Sequence, residues 1–197
     1  MTSIGYVVGS LSRASINRRL AACLADRAPA GLDVREIPIV ELPLYNYDLD
    51  DCFPAAAVAF KRQVEGVDAL LFVTPEYNRS IPGVLKNALD WGSRPWGDNS
   101  FAGLPVGIAG TGLNSAGTAV AQSHLRSILG YLGASLLGVP ELCLPWHEGV
   151  LDAEVTHHQV TRYWEALTTR LRSGRGPDHQ GTSEPAALAR PLLLQGN

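Results

Sequence analysis

The sequence has few cysteines and no cysteine pattern that would cross-link the chain or bind a metal. Cys23, Cys52 and Cys143 are far apart and odd in number, with no C-x-x-C pair and no histidine at metal spacing. This pattern disfavours a disulfide framework and a zinc site. Three reduced cysteines are typical of cytoplasmic proteins, so we expect a cytoplasmic chain without a metal centre.

Long apolar runs and a surplus of one charge are also missing. No apolar segment approaches the roughly 20 residues that cross a bilayer, and no basic region of a signal peptide precedes the first apolar run. The net charge of −3 lacks the basic stripe of a nucleic-acid binder. It is also far from the acidity of a small protein that docks on basic redox partners. We therefore expect neither membrane nor nucleic acid as a partner.

Two common nucleotide-binding fingerprints are absent. The sequence contains no Walker loop, and the glycine-rich residues 110–117 carry Ser115 where G-x-G-x-x-G needs its last glycine. That fingerprint also belongs after the first strand of its unit. We interpret residues 110–117 as a pocket edge whose small residues let a planar ligand approach the main chain.

The sequence does contain apolar runs that alternate with amphipathic segments five times. The runs predicted as strands are residues 4–8, 31–38, 69–73, 104–110 and 134–139. This alternation predicts an α/β protein with a parallel sheet covered on both faces. Right-handed crossovers favour a doubly wound five-stranded sheet of order 2-1-3-4-5. The length fits one domain, residues 1–172, and residues 173–197 have little to bury and are predicted to be a disordered tail.

In that strand order, the loops after strands 1, 3 and 4 meet at one edge, where open α/β sheets bind ligands. The loop after strand 3 lies between Pro75 and Pro82 and leads into an amphipathic helix. The loop after strand 1 is rich in donors, which are Ser10, Ser12, Arg13, Ser15 and Asn17. Unpaired N–H groups at a helix start can bind an anion such as phosphate. A capped helix start with serine N-caps is the alternative.

These loops resemble those of the NAD(P)H-dependent FMN reductase family, which includes bacterial quinone, chromate and azo-dye reductases. The resemblance covers roughly residues 4–172 and lies in three patterns: Gly9-Ser10-Leu11-x-x-x-Ser15-x-Asn17, Thr74-Pro75-Glu76-Tyr77-Asn78-x-Ser80-Ile81-Pro82-Gly83-Val84-Leu85-Lys86-Asn87-Ala88-Leu89-Asp90-Trp91, and Gln122-x-His124-Leu125-Arg126. It implies a flavodoxin-like fold, bound FMN, NADPH or NADH as co-substrate, a small-molecule electron acceptor, and assembly as a homodimer or homotetramer.

The resemblance also implies which residues bind the cofactor. The phosphate would be held by Ser10, Ser15 and Asn17, with Ser12 and Arg13 beside them. The ring and ribityl chain would be lined by Pro75, Glu76, Tyr77, Asn78 and Ser80. The pyrimidine side of the ring would be flanked by Thr111, Gly112, Asn114 and Gly117. Family members more often carry a small or polar residue at the position of Arg79.

No side chain in these loops is an obvious acid, base or nucleophile, so we assign no catalytic residue. In flavin enzymes the cofactor carries the chemistry, and the protein orients it and tunes its charge. The resemblance implies that nicotinamide delivers hydride to flavin N5 and leaves before the acceptor binds on the same face, which gives ping-pong kinetics. Backbone N–H groups of residues 111–114 would stabilise the negative charge of the reduced ring.

Several polar and charged residues could have either a structural or a functional role. Glu76 either accepts backbone hydrogen bonds or acts as a general acid. His124 is either packed in the fold or at a subunit interface, or it is catalytic. Arg79 either reaches the phosphate of NADPH or an anionic acceptor, or it is an exposed loop cation. Lys86 and Asp90 are spaced as an i, i+4 ion pair on a helix surface.

Two other functional classes are compatible with the same fold. One is an electron-transfer flavodoxin without its own NAD(P)H activity. The other is a scaffold protein without flavin, because a fold does not fix a function.

Overall fold

The computed structural model describes residues 1–173, within which strands and helices alternate. The strands are β1 (Thr2–Val8), β2 (Leu32–Glu36), β3 (Ala69–Val73), β4 (Pro105–Gly112), β5 (Ser135–Leu136) and β6 (Leu142–Pro145). The helices are α1 (Ile16–Asp26), α2 (Ala55–Glu65), α3 (Gly83–Gly92), α4 (Ala119–Tyr131) and α5 (Glu154–Arg172), with short 3-10 helices at Tyr47–Leu49 and Val150–Asp152. Ser173 caps α5, and the rest of the predicted tail lies outside the described residues.

The strands form one parallel sheet in the order β2-β1-β3-β4-β5, with β6 also paired to β4. Ile4 lies opposite Val34 on one side and Ala69 on the other, and Leu70 lies opposite Val106. The predicted order 2-1-3-4-5 is therefore confirmed. The connections reverse direction between β1 and β3, and this reversal is the topological switch point of the fold.

The last predicted strand is shorter than expected, and a strand is present where an irregular stretch was expected. β5 pairs only with the start of β4, at Pro105 and Val106, whereas β6 pairs with the end of β4, from Ala109 to Gly112. The residues between them include Pro140, which has no N–H for a ladder. The interruption matters for the site because β6, and not β5, supports the carboxyl end of β4.

Both faces of the sheet are covered by apolar clusters. On one face, strand residues such as Phe72 and Ile108 pack with residues of α2, α3 and α4. On the other, strand residues such as Leu71 and Val73 pack with residues of α1 and α5. All five residues of β3 are buried, which explains its continuous apolar run. None of the helices in residues 1–173 has the length and apolar character needed to cross a membrane.

Candidate functional site

The loops after β1, β3 and β4 meet at the carboxyl edge of the sheet, as predicted. Gly9 N–H donates to the Val73 carbonyl at 2.8 Å, and Thr74 N–H donates to the Ala109 carbonyl at 3.0 Å. Between the loops lies a cleft of about 590 Å³, a size within the roughly 300–1,000 Å³ of small-molecule sites. Its lining residues are Ser10, Ser12, Ala14, Ser15, Ile16, Asn17, Pro75, Glu76, Tyr77, Thr111, Gly112, Leu113, Asn114 and Gly117.

The structure thus brings together all the predicted cofactor residues except Arg13, Asn78 and Ser80. Arg13 is exposed beside the cleft, and Asn78 lines an adjoining depression. Ser80 instead contacts α4. Three lining residues were not predicted from the sequence: Ala14, Ile16 and Leu113. They contribute small or apolar surface and backbone N–H groups, and their side chains have no polar group that would have identified them.

The start of α1 is both capped and rich in free donors. Ser15 is the N-cap, with φ −62° and ψ 122°, and its Oγ accepts the Arg18 N–H, so the predicted serine cap is confirmed. The N–H groups of Ile16 and Asn17 donate to no acceptor within residues 1–173. Such groups, together with the helix dipole, favour a bound anion.

Two polar side chains next to α1 are buried for different reasons. Ser10 is 3% exposed, and its Oγ accepts the Ser12 N–H at 3.3 Å, which leaves its own proton available to a ligand. The Asn17 amide pairs with the Thr111 backbone, donating to the carbonyl and accepting the N–H at 2.9 Å each. The Asn17 side chain therefore positions the loop after β4, while its backbone N–H stays free.

The loop after β4 presents its main chain to the cleft. The N–H groups of Leu113 and Asn114 donate to no acceptor within the described chain. The Asn114 side chain accepts the Ala116 N–H at 2.9 Å, and Gly117 has φ 58°, in the left-handed region that favours glycine. This part of the cleft is a row of backbone donors against which a planar ring can lie.

The end of β4 also lies very close to the residues around Thr74 and Thr118. A Cβ at Gly110 would overlap the Thr118 hydroxyl and the Thr74 carbonyl oxygen. Glycine at position 110 therefore has a packing role, because no larger residue fits between the loops at this crossing.

The loop after β3 is fastened to α4 at both of its ends. Glu76 Oε2 accepts the N–H groups of Val120 and Ala121, each at 3.1 Å. Ser80 Oγ lies 3.1 Å from Nδ1 of His124, whose side chain is exposed. The backbone-acceptor reading of Glu76 agrees with these contacts. Because His124 is exposed in the single chain, it is not packed within the fold, and the interface and catalytic roles stay open.

Arg79 lies at the outer end of the cleft. With Glu76, Asn78 and residues 114–116 it lines a depression of about 420 Å³, which shares Glu76 and Asn114 with the cleft. Its side chain is 74% exposed, and its guanidinium lies 3.5 Å from Glu76 Oε1. The expected pair of Lys86 and Asp90 is present on α3 at 2.7 Å.

The cysteines contribute nothing to the cleft. All three are free, and burial raises the pKa of the Cys23 and Cys143 thiols, which makes them less reactive. No group of three or more His, Cys, Asp and Glu side chains in residues 1–173 is placed to hold a metal ion.

These features suit a flavin mononucleotide. Free N–H groups and hydroxyls at the start of α1 match a phosphate, and the free N–H groups of residues 113 and 114 match the polar edge of a ring. The lining contains no histidine, cysteine or lysine. Binding and charge stabilisation are therefore what the protein itself can provide there.

Comparisons with known proteins point the same way. A family profile described as NADPH-dependent FMN reductase matches residues 2–147. A 2-hydroxy-1,4-benzoquinone reductase from a Burkholderia species is 51% identical over 150 residues, 76% of this chain and 82% of the relative. A quinone reductase of Pseudomonas putida is 40% identical over 173 residues, 87% of this chain and 93% of the relative.

A solved structure agrees with these relatives. FerB of Paracoccus denitrificans, described as a flavoenzyme NAD(P)H:(acceptor) oxidoreductase, superposes with a TM-score of 0.83 at 34% identity. The match covers 88% of this chain and 98% of FerB.

Proposed function

The chain belongs to the NADPH-dependent FMN reductase family, and from this premise we propose that it passes electrons from NAD(P)H to a quinone in two separate half-reactions. It is an NAD(P)H-dependent oxidoreductase that uses FMN. Quinone reduction is the activity named for the relatives from Burkholderia and Pseudomonas putida. The finer points, which are the residues that hold FMN, the order of the half-reactions and the assembly, are our proposals.

The observation that carries the proposal is that two sets of unpaired N–H groups face one cleft. The N–H groups of Ile16 and Asn17, with the hydroxyls of Ser10 and Ser12, would hold the phosphate. Pro75, Glu76 and Tyr77 line another side of the cleft and would flank the ring and the ribityl chain.

When bound, FMN supplies the redox chemistry, accepting a hydride from NAD(P)H and returning two electrons to an acceptor. The chain's part is to hold charge at fixed places. The free N–H groups of Leu113 and Asn114 would donate to the ring edge and stabilise negative charge there without reorganising.

The shape of the site supports a proposal for the order of the two half-reactions. The three loops bound a single cleft, and we propose that NAD(P)H and the quinone use the same opening in turn. Initial rates measured without oxygen, with NADPH varied at several fixed quinone concentrations, should give parallel double-reciprocal lines. Intersecting lines would show that both substrates are bound together and would contradict the proposal.

We also propose that the chain forms a homodimer through the groove between α3 and α4. This groove of about 720 Å³ has a mixed lining, in which Lys86, Asp90 and Arg94 lie beside apolar and aromatic residues. Two of the aromatic residues, Trp96 and Tyr131, are 78% and 80% exposed. Exposed apolar surface of this kind marks interaction sites. Sedimentation should show a dimer that Tyr131→Glu dissociates and Val155→Glu, on exposed α5 surface, does not. A wild-type monomer at micromolar concentration would contradict this assembly.

A cytoplasmic location is proposed on the basis of the free cysteines and of the dependence on NAD(P)H. Cell fractionation tests it, and recovery of the protein outside the cytoplasmic fraction would contradict it.

A further inference from the structure

The turn at residues 77–80 has an unusual backbone. Tyr77 N–H donates to the Ser80 carbonyl at 2.9 Å and Ser80 N–H donates to the Tyr77 carbonyl at 3.0 Å, which makes a two-residue turn. Its central residues, Asn78 and Arg79, have φ 51° and 63°. Such turns prefer asparagine followed by glycine, because glycine alone adopts positive φ without strain. Arginine at the second position therefore carries a backbone cost, and such costs cluster at ligand sites.

The position of Arg79 is fixed by contacts on both sides of the turn. Glu76 is bonded to the first N–H groups of α4, and Ser80 contacts His124 one turn further along the same helix. The Arg79 backbone is thus held against α4, while its side chain extends from the turn beside the cleft.

The charge of Arg79 is available to a ligand. Its contact with Glu76 is long, at 3.5 Å, and its side chain is 74% exposed, so this pair contributes little. Glu76 is already stabilised by two backbone N–H groups. Arg79 is the only positively charged residue among the described residues that line the cleft and the adjoining depression.

We propose that Arg79 is a specificity-determining residue that selects acidic 2-hydroxyquinones by pairing with their enolate. This inference rests on the proposed quinone reductase function. The hydroxyl of a 2-hydroxyquinone is conjugated with a ring carbonyl, as in a carboxylic acid, and it is ionised at neutral pH. The negative charge is then shared by the oxygens at positions 2 and 4 of the ring, and the carbonyl oxygen at position 1 lies next to the charged oxygen at position 2. A guanidinium can donate to these two adjacent oxygens.

The reaction balances with the substrates already named. The enolate of 2-hydroxy-1,4-benzoquinone takes up the hydride equivalent of one NAD(P)H and two protons, giving neutral 1,2,4-trihydroxybenzene and NAD(P)+. The quinone is reduced and the nicotinamide is oxidised. An anion accepts electrons less readily than a neutral quinone, and the positive charge of Arg79 opposes this effect.

The test compares two acceptors that differ at one oxygen, which is anionic in the first and a neutral methyl ether in the second. The FMN-loaded enzyme and its Arg79→Gln and Arg79→Lys variants are assayed without oxygen with 2-hydroxy-1,4-benzoquinone and with its neutral methyl ether, 2-methoxy-1,4-benzoquinone. We expect Arg79→Gln to lower the hydroxy-to-methoxy ratio of kcat/KM by about tenfold, the value of one hydrogen bond to a charged group. Arg79→Lys should lower this ratio less than Arg79→Gln does, because lysine keeps the positive charge but cannot donate the two parallel hydrogen bonds of a guanidinium.

A binding measurement and a matched variant complete the test. The Kd of the oxidised holoenzyme for 2-hydroxy-1,4-benzoquinone, followed by quenching of intrinsic fluorescence, should rise by a similar factor in Arg79→Gln. Arg162→Gln removes the same charge from exposed surface of α5 and should leave both the ratio and this Kd unchanged.

Each other outcome contradicts the inference in an identifiable way. A hydroxy-to-methoxy ratio in Arg79→Gln within twofold of wild type would overturn it while leaving quinone reduction intact. A change confined to the NADPH-to-NADH ratio of kcat/KM would assign Arg79 to the nucleotide phosphate instead. If the wild-type enzyme reduced neither quinone, the proposed function itself would have failed.

Discussion

At the scale of single residues, one of the buried polar atoms that lack a partner in the described chain is the Tyr163 hydroxyl. Tyr163 is 1% exposed, and its hydroxyl packs where a Cβ at Gly107 would lie. The ring of Tyr163 fills the core beneath β4, but the hydroxyl gains no hydrogen bond there. A buried polar group without a partner costs stability.

Replacing Tyr163 by phenylalanine should therefore keep or raise the free energy of unfolding at pH 7, by up to about 1 kcal/mol. The effect should be larger in alkali. Burial raises the pKa of Tyr163, so above the ordinary value of about 10 the unfolded chain loses this proton first. Stability then falls with rising pH by about 1.4 kcal/mol per unit, and the variant lacks this contribution. Urea unfolding at pH 7 and pH 11 measures both effects.

The matched control is Tyr47→Phe, which removes a hydroxyl from a 67% exposed residue outside the proposed interface groove. It should leave the pH dependence of unfolding unchanged. A Tyr163→Phe protein several kcal/mol less stable than wild type at pH 7 would mean that the hydroxyl has a partner after all.

The chemistry of individual side chains was only partly predictable from the sequence. The residue types around Ser10, Asn17 and Glu76 predicted polar loops at the edge of a sheet. Their partners did not follow, because Asn17 bonds to Thr111, 94 residues away, and Glu76 bonds to Val120, 44 residues away. Tertiary pairing decides whether such a side chain faces a ligand or holds another loop.

At the scale of elements, α4 begins without a side-chain cap of its own. Thr118 occupies the N-cap position and makes no capping hydrogen bond. Glu76 of the neighbouring loop supplies this function by accepting two N–H groups of the first turn. A carboxylate there is also favoured by the helix dipole. The same contact joins α4 to the loop that borders the cleft, so both elements depend on one side chain.

Glu76→Gln should lower the free energy of unfolding by about 1 kcal/mol, because an amide oxygen accepts these bonds without the charge. Exchange of the Val120 and Ala121 amide hydrogens should become faster. Glu41→Gln, at an exposed position, is the matched control and should change neither quantity. Unchanged amide exchange in Glu76→Gln would show that α4 does not rely on this carboxylate.

Among the strands, β3 and β4 could be predicted because they are continuous apolar runs. β6 could not, because its four residues, from Leu142 to Pro145, follow Pro140 and end at a proline. Its support comes from the tertiary structure. Thr111 Oγ1 donates to the Leu144 carbonyl at 2.8 Å, and the Trp146 N–H donates to the Gly112 carbonyl at 2.7 Å.

At the scale of the whole molecule, the cleft exists because the sheet reverses its winding beside β1. Helices α1 and α5 cover one face and α2, α3 and α4 the other. The start of α1 and the loops after β3 and β4 consequently meet above the switch point. This much follows from the alternation of strands and helices along the sequence. The fastening of the loops to α4 and β6 does not, since it depends on contacts between distant segments.

The most direct test of the proposed flavin site is whether FMN binds with its phosphate at the start of α1. Ala14 lines this end of the cleft and is exposed, so Ala14→Asp should fold normally and repel the phosphate. Ala14→Asn is the neutral control of equal size. We expect the Kd for FMN, from flavin fluorescence, to rise about tenfold or more for Ala14→Asp relative to Ala14→Asn. Riboflavin, which has no phosphate, should show no such difference. Equal FMN affinity in the two variants would contradict the assignment of this cleft as the flavin site.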